Sequence, residues 1–322
     1  MLPKIAHAAL ALLLAFALTA AGARPAPASD ANEHPAPVGT GSAPASGANE
    51  HATPRDAEPA PASDAGENAT AADTEALAAA AQNPIANLIS LPFQNNLHFG
   101  VGPDNGVANL LNIQPVIPFT VGDWNIITRT IVPVIYLADL TAGLPDFPQN
   151  KTSGGTFGLG DLNFTAFLSP ADSGNFVWGI GPSFGLDTAT SDYLGTGKWT
   201  AGPSLVGVWT PPNWVVGALA RNLWSFAGQA DRKSVNSFLL QPFINYNFDD
   251  GWYVTTSPVI TANWRGDAGN RWTLPLGGGV GRILNLGSQP ANVQAQIFGN
   301  AVRPENAPAW SLRLQVQLLF PQ

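Results

Sequence analysis

The sequence has no cysteine and one methionine, and only 11% of its 322 residues are charged. Absence of cysteine excludes a disulfide framework, a thiol nucleophile, a cysteine-ligated metal and a lipid anchored through an N-terminal cysteine. A soluble domain normally carries about 25% charged residues, so a water-exposed enzyme surface is a poor fit. A mean hydropathy of +0.06, with no apolar run of about 20 residues beyond the N-terminus, excludes a bundle of membrane-spanning helices. There is no Gly-X-Y period, so the chain is not collagen-like. What is abundant is glycine (33), proline (29) and tryptophan (10). A charge-poor, glycine- and tryptophan-rich chain without long apolar runs points to a transmembrane β-barrel.

The N-terminus has the form of an export signal. Lys4 lies in a short polar start, Ala8 to Leu18 is apolar, and Ala21-Gly22-Ala23 is a small-residue cleavage site. Residues 1–23 are thus expected to be removed, leaving a mature chain that starts at Arg24. Residues 24–72 are dominated by small and polar residues with a 17-residue repeat, as in Ala26 to His34 and Ala43 to His51. The repeat has no apolar face, so this segment is expected to be a disordered tail and not a solenoid. Its His34 and His51 read as a solvated spacer before they read as weak metal ligands. Residues 24–91 carry a net charge of −7 and residues 92–322 only −2, so the acidity belongs to the tail and says nothing about a substrate. Within 73–91, Asp73 to Gln82 reads as a short helix stopped by Asn83-Pro84, followed by an apolar stretch able to act as a plug.

From Pro92 onward the hydrophobic period becomes two. Phe93, Leu97 and Phe99 alternate with Gln94, Asn96 and His98, and the pattern repeats over twelve segments of about 10–15 residues. Strands of that length suit a tilted membrane crossing and exceed the usual soluble strand of about 5–6 residues. Connections after even segments are mostly short. Those after odd segments are longer and polar, the longest being Ala138 to Gly155. The fold class is therefore all-β: a closed antiparallel transmembrane barrel of about twelve strands (residues 92–322), with both termini on one side, preceded by the tail and the helix.

Tryptophans mark the strand ends. Trp252 with Trp264, Trp214 with Trp224, Trp199 with Trp209 and Trp310 with Phe320 each bound one strand on one face. Twelve residues tilted by roughly 45° span about 28 Å, near the height of an apolar band, and indole favours its two interfaces. A soluble β-sandwich would place tryptophan mid-strand. The last segment, from Trp310 to Phe320, is an amphipathic strand with a near-terminal aromatic. It is similar to the assembly signal of bacterial outer-membrane proteins, although Pro321-Gln322 follow the phenylalanine. Membrane lipid and the outer-membrane assembly machinery are the partners this implies.

Two stretches carry a family resemblance: Asn83-Pro84-Ile85-Ala86-Asn87-Leu88-Ile89-Ser90-Leu91-Pro92-Phe93, and Asn112-Ile113-Gln114-Pro115-Val116-Ile117-Pro118-Phe119. With Gly158-Leu159-Gly160-Asp161 and Gly179-Ile180-Gly181-Pro182, residues 83–322 resemble the transporter-like outer-membrane proteins grouped as the phenol-degradation meta-pathway family (often mislabelled neuromedin U). The resemblance implies an outer-membrane barrel that passes small solutes, aromatic ones among them, and supplies no functional residues to carry over. Inward Val215, Leu219 and Leu223 suit a hydrophobic or aromatic solute.

Little in the chain carries catalytic chemistry. His98 is the only histidine of the barrel. Paired with a strand serine it would make a hydrolase; alone it is a hydrogen-bonding group of the lumen. No Gly-x-Ser-x-Gly segment is present. Gly277-Gly278-Gly279-Val280-Gly281 has neither the lysine nor the helix of a phosphate loop. No cofactor or metal is expected, and no basic patch supports nucleic-acid binding. The alternation turns Gln114, Asp161, Gln241 and His98 inward, with Arg129, Arg221, Arg265 and Arg313, because a mid-strand arginine facing lipid costs about 2–4 kcal/mol. These arginines form either an anion filter or salt bridges with loop aspartates. Inward Gly179, Gly181, Ser183, Gly185, Gly277, Gly279 and Gly281 leave room for a channel or a plug, while Arg129 and Ile135 share a phase, which implies either a bulge between them or a local fault in the alternation. The functional expectation is passive passage of a small solute. An outer-membrane hydrolase, and a structural barrel tethering a periplasmic partner, stand as the alternatives.

Overall fold

The computed structural model describes residues 71–138 and 155–321. The export signal, nearly all of the acidic tail and the tip of the longest loop lie outside the described residues. The chain opens with helix α1 (Ala71–Gln82). Twelve antiparallel strands follow: β1 (Ile89–Val101), β2 (Gly106–Ile113, continued as Val116–Val121), β3 (Trp124–Leu137) and β4 (Thr156–Leu159, continued as Leu162–Pro170). Then come β5 (Phe176–Leu186), β6 (Lys198–Trp209), β7 (Trp214–Gly228) and β8 (Asn236–Asn247). The last four are β9 (Trp252–Thr256, continued as Ile260–Asn263), β10 (Trp272–Leu286), β11 (Gln289–Val302) and β12 (Trp310–Phe320). Each strand pairs with its sequence neighbours, and β12 pairs with β1, so the sheet closes on itself. Closure leaves no unpaired edge, which a membrane core requires.

The closing seam begins earlier than the sequence pattern indicates. Ile89, Ser90 and Leu91 already pair with Phe320, Leu319 and Leu318, so the barrel starts at Ile89 and not at Pro92. The helix likewise starts at Ala71, two residues before Asp73. The short turns gather at one end with the start of β1 and the end of β12. Gly122 (φ 58°) and Gly287 (φ 67°) take the left-handed conformation that two-residue hairpin turns demand. The longer loops gather at the other end.

Alternation sorts the side chains as the period predicts. The tryptophans project outward in two rings. Trp124, Trp178, Trp209, Trp214 and Trp252 stand at the turn end, and Trp199, Trp224, Trp264, Trp272 and Trp310 at the loop end. Their exposures run from 37% to 52%, so none is a core residue. Rings pack edge-on within each girdle, as Trp264 does on Trp272 at 5.5 Å.

The apolar core lies inside the barrel at the turn end. Ile127, Phe167, Val206, Val208, Val215, Leu219 and Phe243 converge there on Ile85. Strand β3 runs unbroken from Trp124 to Leu137 with constant register against β2, so no bulge separates Arg129 from Ile135. The irregularity is in β4 instead, where Gly160 and Asp161 interrupt the pairing to β3. Ile135 points inward because an apolar loop meets it: the space beside Gly160 holds the Ile135 and Pro133 side chains and the Leu194 carbonyl.

The inward glycines do not leave an open lumen. A Cβ on Gly281 would collide with the Tyr253 ring, and one on Gly185 would meet the Thr200 hydroxyl. Beside Gly179 the space is taken by Val206, Phe167 and Ile85. The missing side chains admit neighbours from adjacent strands and the plug residue, which is how a twelve-strand lumen fills.

Candidate functional site: the barrel lumen

The floor of the lumen is built by local sequence. Asn83 precedes proline, which ends the helix. Its side-chain oxygen accepts the Ile85 N–H at 3.0 Å, and its carbonyl accepts the Ala86 N–H at 3.2 Å. This turn aims Ile85 into the barrel, where it is 2% exposed, while Ala78 and Leu88 are buried beside Ile283 and Leu319. Gln82 Nε2 donates to Asn247 Oδ1 at 2.7 Å. Helix and turn together lie across the turn-end mouth.

Above this floor is a cavity of about 140 Å³, lined by the plug, Gln94, Gln114, Arg129, Leu219, Gln241, Phe243 and Tyr253 among others. Its walls differ. Strands β7 and β8 contribute Leu219 and Phe243 together with Gln241 and Asn245, whereas β9, β11, β12 and β1 contribute Thr255, Asn292, Gln294, Gln315, Gln317 and Gln94. The amide wall is knitted internally. Tyr253 Oη donates to Asn292 Oδ1 at 2.6 Å, and Asn292 Nδ2 donates to Gln317 Oε1 at 3.2 Å. A mostly amide lining that also presents Leu219 and Phe243 suits an amphipathic solute better than a bare ion or a hydrocarbon.

Three arginines reach the lumen near its middle. Arg129 Nη2 donates to Gln114 Oε1 at 2.5 Å. Arg221 Nη1 donates to Asn163 Oδ1. Arg313 is held most fully: Nε donates to Asn96 Oδ1 at 3.0 Å, Nη1 to the Ser257 carbonyl at 2.9 Å and hydroxyl at 3.1 Å, and its guanidinium stacks on Phe298 at 4.9 Å. Among the described residues every partner of these three is an amide, a carbonyl, a hydroxyl or a ring, and none is a carboxylate. The charge of Arg129 repels those of Arg221 and Arg313.

One of the lumen candidates belongs elsewhere, and another is fully engaged. Arg265 lies in the exposed loop after β9, past the last paired residue Asn263, and is not a lumen residue. Alternation was carried one turn too far there, because the strand ends where Trp264 reaches the outer rim. Asp161 faces inward, but its carboxylate is fully engaged. Oδ1 accepts the N–H groups of Thr188 and Ala189 at 3.3 and 3.2 Å, and Oδ2 accepts the Thr196 N–H at 2.7 Å and hydroxyl at 2.9 Å. It pins loop 187–197 over the inner wall and buries Leu194 there. The sequence offered no sign of this, since all four donors lie 27–35 residues away. Asp161→Ala is expected to abolish hydrogen-exchange protection of the Thr188, Ala189 and Thr196 amides while strand protection stays intact. Unchanged protection would show that the loop holds itself.

His98 faces inward, with Ser311 opposite it on β12. No hydrogen bond joins the two among the described residues. Gln241 lines the cavity. Alternation also turns Thr165 and Ser183 inward, and the structure joins them to Ser204 in a buried hydroxyl chain that the pattern did not show, with Ser183 Oγ 2.6 Å from Ser204 Oγ. Small inward hydroxyls at cross-strand positions were its only signal.

Comparisons agree with this architecture. A solved outer membrane channel from Pseudomonas putida F1 superposes with a TM-score of 0.54 at 15% identity, covering 72% of this chain and 94% of that one. Two others are more remote. The CymD monoaromatic hydrocarbon channel has a TM-score of 0.39 at 8% identity (73% of this chain, 88% of that one). The Pseudomonas putida toluene transporter TodX has 0.34 at 10% (79% and 92%), and likeness at these two levels bears no argument. No curated protein matches the sequence. The profile of the family described as MetA-pathway of phenol degradation matches residues 104–317, a span running from β2 to β12. On a match over most of its length, the chain belongs to that family, as a twelve-stranded barrel of the outer-membrane type.

Proposed function

We propose that the protein is a bacterial outer-membrane channel for a small amphipathic solute, with α1 and the turn to Leu88 as a plug at its periplasmic end. The observation that carries this reading is the cavity of about 140 Å³ between the plug and Arg129, lined by amides with Leu219, Phe243 and Val116 set among them. A cavity near 150 Å³ is large enough for one benzene-sized ring. The likeness in fold to an outer membrane channel supports the same reading. The two tryptophan girdles would then sit at the two lipid interfaces, the termini in the periplasm and the longer loops outside. Residues 24–72 would be a periplasmic spacer.

The hydrolase reading is disfavoured because His98 has no hydrogen-bonded nucleophile and no orienting carboxylate beside it among the described residues. The test is to reconstitute the mature protein in planar bilayers and record current. Discrete conductance steps are expected. They should persist when residues 24–70 are removed, since that segment builds none of the described lumen. Silence in both proteins, together with no solute entry into proteoliposomes, would overturn the channel reading in favour of a filled structural barrel.

A further inference from the structure

We infer that the lumen holds a binding site for a small monocarboxylate with a ring-sized apolar body, and that Arg129 is the residue that grips its carboxylate. This rests on the channel reading for its physiological meaning but not for its test. The first observation is charge. Arg129 faces the like charges of both Arg221 and Arg313 within one closed lumen, and no carboxylate among the described residues answers them. Like charges gathered away from bulk water cost free energy, which an anion entering among them recovers.

The second observation is the uneven use of their donors. A guanidinium has five N–H donors. Arg313 spends its own on Asn96 and Ser257 and lays its face on Phe298, so it is locked. Arg221 bonds to Asn163, away from the cavity lining. Among the described residues Arg129 makes one side-chain hydrogen bond, to Gln114, and it lines the cavity. Its remaining donors are the ones a carboxylate can take two at a time.

The third observation is what lies below Arg129. Phe243, Leu219 and Val116 are the large apolar side chains of the cavity's strand lining, with Gln241 and Asn245 flanking Phe243 and Ile85 packed behind it. A carboxylate on Arg129 therefore places the rest of the molecule against these side chains. The volume admits one six-membered ring and little more. Arg221 and Arg313 hold the site positive without touching the ligand, and an inorganic anion fills the charge but wastes the apolar wall.

The test measures binding of benzoate, benzamide and acetate to the detergent-solubilised mature protein by calorimetry, independent of any transport. Saturable benzoate binding is expected, with benzamide and acetate each weaker by about tenfold or more, the size of one charge-assisted pair or one buried ring face. Arg129→Gln should remove the benzoate preference, and Arg129→Lys should restore part of it. Unboiled gel mobility of each variant reports that the barrel is folded. Equal binding of benzoate and benzamide, or undiminished benzoate binding by folded Arg129→Gln, would overturn the anion site. Equal binding of acetate would overturn the apolar half. If benzoate binds selectively while bilayers stay silent, the site stands and the channel reading falls. If conductance is present but benzoate does not bind, the channel stands and this site falls.

Discussion

Removing α1 and the following turn, residues 71–86, is expected to raise single-channel conductance several-fold, the largest change any variant of this protein should show. The plug is seated by apolar contact. Ile85 sits among Ile127, Phe167, Val206, Val208, Val215, Leu219 and Phe243, and Leu88 lies under Ile283 and Leu319. Burying two such side chains stabilises the docked state by about 3–6 kcal/mol. At that free energy the undocked plug is populated well below one part in a hundred. The intact channel should therefore conduct weakly and open rarely. The deletion must stop short of Ile89, because residues 89–91 pair with β12 and close the barrel. Ile85→Asp gives the same test without shortening the chain. A carboxylate cannot stay charged in that cluster at acceptable cost, so the plug should leave and conductance should approach that of the truncated protein. Conductance unchanged in both variants would mean that the narrow point lies higher, at the arginines or beneath loop 187–197.

Gly281→Val is the second. Gly281 and Tyr253 are directly paired across β9 and β10, and the tyrosine ring occupies the space where a side chain would begin. Tyr253 is 1% exposed and its hydroxyl donates to Asn292. A valine must displace the ring, strain the two strands and break that buried hydrogen bond. Overpacking of about 1–3 kcal/mol and a comparable cost for the orphaned hydroxyl together give a loss of roughly 2–6 kcal/mol. The temperature at which the barrel loses its compact, unboiled gel mobility should fall steeply. Adding Tyr253→Ser to the same chain should recover most of it, since the valine then fills the vacated space. An undiminished Gly281→Val barrel would show that the ring has another place to go. Failure of the second substitution to rescue would show that the backbone, and not the ring, rejects the side chain.

The four expected effects fall on distinct parts of the lumen: the floor at Ile85, the wall at Gly281 and Tyr253, the grip at Arg129, and the lid at Asp161. The first three are coupled, because the plug, Arg129 and Tyr253 line one cavity and Ile85 packs on its Phe243. Ile85→Asp with Arg129→Gln should give a wide channel without benzoate preference.

Period-two patterning by itself determined the barrel, its twelve strands and most strand ends, because one face meets lipid and the other a polar lumen over the same repeat. Trp214 and Trp224, or Trp252 and Trp264, marked both rims, since indole has a single favourable depth. Inward arginine followed from the cost of putting it in lipid. What alternation cannot report is what stands opposite an inward residue. Arg265 satisfied the phase but lay beyond the strand. Asp161 satisfied it and is consumed by Thr188, Ala189 and Thr196, more than 25 residues along the chain. Ile135 broke the pattern only because a loop from between β5 and β6 folds against it. The inward glycines spelled open space, yet Tyr253, Thr200 and Ile85 fill it from other strands and from the plug. Facing lipid is a property of each residue and its depth, so one sequence position at a time suffices to read it. Filling a lumen depends on pairs brought together by closure, so only the tertiary structure decided the floor, the cavity and the arginine left with donors to spare.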